Sequence, residues 1–107
     1  MDKFNALAEP NRRRILEMIA TQGPLAVSKI NEHFDISAPA ISQHLKVLRE
    51  AGLLQMQKKA QQRLYSLQPD GVDELWQWLS DMRQFWHARL DTLEAQLNKD
   101  LKEDQHD

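Results

Sequence analysis

The chain has 107 residues, no cysteine, a hydrophobic fraction of 41% and a formal net charge of −2. This length gives room for one domain with a modest core. The lack of cysteine excludes disulfides, thiolate metal sites and cysteine-based redox sensing. No apolar run approaches the roughly 18 residues that a membrane span needs, and the first ten residues lack the basic-then-apolar pattern of a secretory signal. We therefore expect a cytoplasmic protein without membrane contact.

The small net charge hides an uneven distribution. Residues 26–67 carry six bases and three acids, a balance of +3, whereas residues 68–107 carry four bases and ten acids, a balance of −6. A basic middle segment favours attraction to a polyanion such as nucleic acid. The same asymmetry is also common on ordinary proteins, so it only supports other evidence.

The first third of the chain predicts three helices. Residues 2–8 form a short helix with Phe4 and Leu7 on one side, and Pro10 begins a second helix. The buried positions of this second helix are Ile15, Leu16 and Ile19. A third helix of about two turns begins near Ala26 or Val27, and its apolar spacing is that of Leu25, Val27, Ile30 and Phe34.

Residues 36–52 predict a capped helix that follows this short helix after a very brief connection. Ser37 can cap its N-terminus, and Gly52 can end it in the left-handed conformation. One face is apolar, with Ile41, Leu45 and Leu48 at i, i+4 and i+7. The opposite face is small, polar and basic: Ala38, Ala40, Ser42, Gln43, Lys46 and Arg49. The pair of helices is a helix-turn-helix, whose second helix can enter a DNA major groove.

After Gly52 the pattern changes to short strands and then to one long helix. LLQMQKK (53–59) and QRLYSLQ (62–68) predict the two short strands of a β-hairpin wing, with a polar, mobile turn at 58–62. Pro69, Asp70 and Gly71 predict a closing turn. A helix is expected over residues 72–97. Its apolar stripe consists of Leu75, Leu79, Met82, Trp86, Leu90, Leu93 and Leu97, widened by Trp76, Trp78 and Phe85.

This stripe has two interpretations. It can pack on the helix-turn-helix of its own chain, or it can meet the same helix of a second subunit, with the first helix beside it. We expect the second arrangement, a homodimer. The predicted dimerisation residues are Phe4, Leu7, Leu79, Met82, Trp86, Leu90, Leu93 and Leu97. The domain prediction is one winged-helix DNA-binding and dimerisation domain at 1–97, followed by a polar, frayed tail at 98–107.

Particular segments resemble the ArsR-type winged-helix repressors. LAEPNRRRILEMI is similar to the family's LADPTRRRIL opening, and residues 37–53 resemble its recognition-helix pattern S-x-P-x-x-S-x-H-L-x-x-L-R-x-A-G-L. Residues 63–67, RLYSL, look like its returning wing strand, and WLSDMRQFWHARLDTLEAQL is similar to the tail of a metal-independent branch. The resemblance implies a mainly α fold with a small β-hairpin, in the order α1-α2-α3-α4-β-β-α5. It also implies a homodimeric, sequence-specific regulator, usually a repressor, that binds an inverted repeat with its two recognition helices in successive major grooves.

The chain departs from the family at the wing tip and at the metal sites. Ala60 and Gln61 stand where the family often has Gly-Arg, so the wing is expected to contribute less affinity. VSKINEHF carries no thiol, and the last helix has only His87 with Asp91 at i+4. We therefore predict no metal site and no cofactor.

The DNA-binding candidates lie on the central helix and the wing. They are Ser37, Pro39, Ala40, Ser42, Gln43, His44, Lys46, Lys58, Lys59 and Arg63. Gln43 is the candidate base reader, since its amide can bond adenine N6 and N7; the alternative is a solvated glutamine. His44 either touches the DNA backbone or is a packed histidine bonded to a neighbouring carbonyl. Arg49 is expected to pair with an acid, and one arginine of the triplet 12–14 to reach phosphate while the others form ion pairs.

These patterns favour a DNA-binding transcriptional repressor whose partners are double-stranded DNA, a second copy of itself and an effector that the sequence does not identify. The alternative is a winged-helix protein–protein interaction module, which the acidic total favours and the basic middle segment disfavours. We predict no enzymatic activity, since the sequence has no cysteine nucleophile, no glycine-rich phosphate loop and no paired-histidine metal spacing.

Overall fold

The computed structural model describes residues 2–104. It contains, in chain order, α1 (Lys3–Leu7), α2 (Pro10–Gln22), β1 (Leu25–Ala26), α3 (Val27–Glu32), α4 (Ala38–Glu50), β2 (Leu54–Lys59), β3 (Gln62–Leu67) and α5 (Pro69–Asp104). The predicted architecture, mainly helical with a hairpin after the helix-turn-helix, is confirmed. The chain divides into two units, residues 1–75 and 76–107. The single domain predicted for 1–97 stays a prediction, as does the frayed tail at 98–107, of which residues 105–107 lie outside the described residues.

The core of the first unit is built from the apolar faces that the sequence periodicity predicts. Ile15 and Ile19 of α2 pack with Ile41, Leu45 and Leu48 of α4 in one buried cluster. The cluster is completed by Ala6, Ile30, Phe34, Ala51, Leu53, Leu54 and Tyr65. Because the apolar face of α4 is buried in this core, its opposite face points toward solvent.

The wing belongs to a three-stranded antiparallel sheet, in the order β1-β3-β2. The sequence predicted only two strands. β1 is two residues long, and it pairs Leu25 with Tyr65 and Ala26 with Leu64. Two residues cannot show an alternating pattern, so this strand is defined only by its pairing with β3. The pairing joins the segment before α3 directly to the returning strand of the wing.

The wing turn is tighter than the predicted segment 58–62. Lys59 pairs with Gln62, which leaves Ala60 and Gln61 as the two turn residues. Ala60 has a φ of +57°, in the left-handed region that costs a residue with a Cβ about 1–2 kcal/mol. The backbone conformation therefore suits the glycine that the family often has here, although this chain has an alanine.

Ala60→Gly should stabilise the protein by about 0.5–1 kcal/mol. The substitution removes the left-handed strain, and the greater freedom of glycine in the unfolded chain offsets part of the gain. Chemical denaturation of both proteins measures the difference in free energy of unfolding. Gln61→Gly is the matched control, because the φ of Gln61 is not positive and glycine there has no strain to relieve. An equal gain from both substitutions would contradict this explanation.

The long helix differs from its prediction at both ends. Pro69 begins α5, so Pro69, Asp70 and Gly71 form its first turn and not a separate closing turn. Proline and aspartate suit a first helical turn as well as a loop, which is why the local sequence was ambiguous. At the other end, the helix passes residue 97 and includes Leu101, which follows Leu97 at i+4 and continues the apolar stripe.

Gly71 is buried because the first turn of α5 packs against Gly52, which follows the end of α4. A Cβ built on Gly71 would lie 1.8 Å from the carbonyl oxygen of Gly52, which itself has a φ of +80°. Lys3 of α1 lies beside both glycines, and its ammonium pairs with Glu74 at 2.8 Å. Three elements therefore meet at a point where only glycine fits.

Among the described residues, the second unit consists of α5 from Trp76 to Asp104. The side chains of its apolar stripe are exposed, from 39% for Met82 to 62% for Trp86. Phe4 of α1, in the first unit, is 49% exposed, whereas Leu7 is partly buried against the core. No helix within residues 2–104 is both long and apolar enough to cross a membrane.

Candidate nucleic-acid interface

Helix α4 presents a polar face whose position is fixed by its cap and its buried face. The Ser37 hydroxyl accepts a hydrogen bond from the Ala40 N–H at 3.2 Å, as predicted for an N-cap. Ser42, Gln43 and Lys46 are exposed on the side opposite the core. Pro39 is exposed and Ala40 is half-buried in the first turn. Such a surface combines small residues that permit close approach with an amide that can read a base edge.

Within residues 2–104, Lys46 has one weak ion-pair partner. Its ammonium lies 4.0 Å from the Glu50 carboxylate, and both side chains are more than 60% exposed. An exposed pair of this kind contributes little to stability. Lys46 therefore remains available to a phosphate.

The wing concentrates positive charge without a compensating acid. Residues 54–67 include Lys58, Lys59 and Arg63 and no carboxylate, and all three cations are exposed. Lys58 and Arg63 are directly paired across the hairpin, so their side chains lie on the same face of the sheet. Like charges placed opposite each other are destabilising. A bound anion would relieve this repulsion.

His44 faces the protein and not solvent. Its side chain is 17% exposed, with Nε2 at 3.8 Å from a Glu9 carboxylate oxygen and Nδ1 at 3.5 Å from Nη1 of Arg12. A guanidinium only donates hydrogen bonds, so in this contact Nδ1 of His44 can only accept. Of the two expectations for His44, the packed histidine fits, with side-chain partners in place of a carbonyl. Its contact with DNA stays a prediction.

The arginine triplet makes contacts with backbone carbonyls and an aromatic ring that the sequence did not predict, while the phosphate contact expected of one arginine stays a prediction. Arg12 donates through Nε to the Ala6 carbonyl at 2.6 Å and through Nη2 to the Asn5 carbonyl at 3.2 Å. Arg13 donates to the Leu7 carbonyl at 2.6 Å. The bonds from Arg12 and Arg13 satisfy the carbonyls of Ala6 and Leu7 at the end of α1, where a short helix leaves such groups without intrahelical partners. The Asn5 carbonyl already accepts from the Ala8 N–H, so Arg12 is its second donor. The guanidinium of Arg14 stacks 4.6 Å from the ring centre of Phe34.

Arg49 is a further candidate for contact with nucleic acid, a role that its sequence context did not predict. It was expected to pair with an acid, but it is exposed and forms no ion pair within residues 2–104. Arg49 lies at i+3 from Lys46 and i+7 from Ser42, so the three residues share one flank of α4. This spacing can be read from the sequence. In the structure Arg49 lines the same cleft as Gln61, Gln62 and Arg63, so it lies beside the wing.

The metal-ligand alternative has no cluster to support it. Within residues 2–104, no three histidine, aspartate or glutamate side chains come together as a metal centre would require. His87 and Asp91 lie on one exposed surface of α5, one turn apart. Two ligands at this spacing fall short of the three or four that zinc sites use.

Comparison with known proteins agrees with this geometry. Residues 9–55 match the family of the bacterial regulatory protein arsR. The chain is 41% identical over 87 residues to the HTH-type transcriptional regulator Rv2034 of Mycobacterium tuberculosis, which covers 81% of this chain and 78% of that protein. It is 36% identical over 76 residues to the transcriptional repressor SdpR of Bacillus subtilis, covering 71% of this chain and 83% of SdpR.

The solved structures give the same result. The fold matches the ArsR family transcriptional regulator RHA00566 with a TM-score of 0.69 at 27% identity, over 78% of this chain and 86% of that chain. The helix-turn-helix with its adjoining sheet thus defines a winged-helix DNA-binding protein. The chain belongs to the arsR family of bacterial regulatory proteins, and it is a transcriptional regulator.

Proposed function

We propose that this regulator is a homodimeric cytoplasmic repressor that binds an inverted-repeat operator. The observation that carries the proposal is the exposed face of α4 beside an acid-free, basic wing. In each protomer, α4 lies in the major groove and the wing cations contact the sugar–phosphate backbone. The predicted DNA contacts are Ser37, Pro39, Ala40, Ser42, Gln43, His44, Lys46, Lys58, Lys59 and Arg63.

The dimer is proposed from the surface of α5. A single helix cannot bury its own stripe, and an exposed apolar surface of this length is unusual on a monomeric protein. A second copy offers an identical stripe, and twofold pairing of like surfaces is the commonest form of soluble oligomer. The proposed interface consists of Leu79, Met82, Trp86, Leu90, Leu93 and Leu97, with Phe4 and Leu7 of α1 at its side.

The test is a fluorescence anisotropy titration of the protein on DNA taken from upstream of its own gene. Specific binding is expected, and its affinity should fall steeply with salt because phosphate contacts release counterions. Four proposed phosphate-contacting cations in each protomer, Lys46, Lys58, Lys59 and Arg63, give eight in a dimer. The slope of log K against log salt should therefore reach about −7 if all of them contact DNA. The lack of specific binding at low salt would instead favour the protein–protein interaction module.

Gln43→Ala should weaken binding to the specific site by about 1–3 kcal/mol, the value of a bidentate base contact. Its affinity for random DNA should stay close to that of the unmodified protein, because a base reader contributes little there. Anisotropy on both DNAs measures the two changes. Gln84→Ala, an exposed glutamine on α5, is the control and should leave both affinities unchanged. Equal losses on specific and random DNA would mean that Gln43 does not read a base.

A further inference from the structure

A cleft of about 910 Å³ lies in the first unit, between the flank of α4 and the wing. Its volume is within the range of about 300–1,000 Å³ that is usual for small-molecule sites. The beginning of α3 closes one end, since Val27 and Ser28 line it. The lining includes Ser42, Lys46 and Arg63, which are exposed residues of the proposed DNA-binding surface, and we call the exposed part of the lining the rim.

The floor of the cleft is apolar. Leu45 and Tyr65 line it with exposed fractions of only 1% and 8%, so both side chains are anchored in the core. Val27 continues this surface toward α3. The aliphatic stems of the long rim side chains extend it upward. Leu45 and Tyr65 make this surface rigid but expose only their edges, so most of the apolar contact for a bound group comes from the partly buried Val27 and from the stems of the long side chains.

The rim of the cleft is cationic. Arg49 stands on the α4 side and Arg63 on the wing side, and neither has a carboxylate within 4.0 Å in the described part of the chain. Glu50 is the one acid in the lining, and it lies 4.0 Å from the Lys46 ammonium. Three cations against one paired acid favour an anionic occupant, and guanidinium groups suit a carboxylate in particular.

We propose that this cleft binds a small organic anion with an apolar body, such as an aromatic carboxylate, and that the bound anion excludes DNA. A DNA phosphate can form ion pairs with the cations of the rim, but a hydrated phosphate gains no favourable contact from the apolar floor. An organic anion uses both, with its carboxylate toward the guanidinium groups of Arg49 and Arg63 and its ring against Val27 and the exposed edge of Tyr65. The exclusion of DNA rests on the function proposed above, since it requires phosphates at the same rim.

The binding step is tested without DNA, by titrating the full-length protein with 2-naphthoate and following backbone amide resonances by NMR. Saturable shifts are expected at residues around the cleft, notably Arg49, Arg63 and Tyr65. The Arg49→Ala, Arg63→Ala double variant should bind about tenfold more weakly, as expected for the loss of two exposed charge pairs. Lys99→Ala with Lys102→Ala removes two exposed cations of α5 and should change nothing. Uncharged 2-naphthamide should bind about tenfold more weakly than 2-naphthoate.

Three results would overturn the binding site: no saturable shift, shifts confined to α5, or equal binding of the acid and the amide. The exclusion of DNA is tested separately by adding 2-naphthoate to the unmodified protein on its upstream DNA. Release of DNA in proportion to cleft occupancy supports the proposal, whereas unchanged DNA affinity at full occupancy contradicts exclusion. If the protein binds no DNA specifically, the repressor function fails together with the exclusion, while the NMR result still decides the binding site.

Discussion

Replacing Leu90 and Leu93 together with aspartate should convert the protein to a monomer and weaken operator binding by at least about 100-fold. Both residues lie on the apolar stripe of α5, with exposed fractions of 41% and 54%. An aspartate carboxylate buried in an apolar interface without a partner costs several kcal/mol, and twofold symmetry places four of them in one dimer. A monomer binds one half-site and loses the gain of about 10²–10⁴ that linked binding sites provide. Sedimentation equilibrium measures the mass, and fluorescence anisotropy measures the affinity.

The control for this experiment places the same charges on the other side of the helix. Gln84 and Ala88 are exposed and lie off the apolar stripe, so Gln84→Asp with Ala88→Asp adds equal negative charge to α5. This variant should remain dimeric and retain most of its affinity. If the Leu90 and Leu93 variant also sediments as a dimer, the stripe of α5 is not the dimer interface.

Gly71→Ala should destabilise the protein by at least about 2 kcal/mol, at the upper end of what overpacking costs. The added Cβ would meet the Gly52 carbonyl oxygen at 1.8 Å and its carbon at 2.8 Å. Both are backbone atoms, so they cannot move aside as the end of a flexible side chain can. The preference of alanine over glycine in a helix is worth only about 1 kcal/mol and does not offset the clash. Urea denaturation followed by circular dichroism measures the loss.

Gly23→Ala provides the comparison, because Gly23 has a φ of +85° and nothing within 4 Å of an added Cβ. Only backbone strain is expected there, of about 1–3 kcal/mol, because a ψ of −166° places Gly23 in a region that is essentially limited to glycine. Gly71→Ala should lose at least as much stability as Gly23→Ala, although the backbone of Gly71 has no positive φ. A stability of Gly71→Ala equal to that of the unmodified protein would show that α5 and Gly52 are less closely packed than described.

The features that the sequence predicted well depend on local signals. The Ser37 cap and the spacing of Ile41, Leu45 and Leu48 define α4 without any knowledge of its neighbours. The hairpin was predicted in the same way, from a change of period after Gly52. Since burying one face of α4 exposes the other, the accessibility of Ser42, Gln43 and Lys46 also followed from the pattern. The roles assigned to those three residues remain predictions for experiment.

The features that the sequence did not predict depend on contacts between distant segments. β1 exists because Leu25 and Ala26 meet β3 about forty positions later, and two residues carry no pattern of their own. For the triplet 12–14 the sequence predicts ion pairs and one phosphate contact, because charge is visible in a sequence, whereas the carbonyls of Ala6 and Leu7 that accept from Arg12 and Arg13 are not. Gly71 follows a proline and an aspartate, so the sequence suggests a turn. The real requirement for glycine is the close approach of the Gly52 backbone, which exists only in the folded chain.

The short strand β1 also determines how parts of this protein could be exchanged with those of its relatives. Residues 38–50 form one capped helix, and exchanging only the exposed side chains of that helix leaves every core contact in place. The wing is not separable in the same way, since β3 is held on one side by β2 and on the other by Leu25 and Ala26. A chimera that imports a foreign wing would therefore need the foreign counterpart of those two residues, which lie before the recognition helix and far from the grafted segment.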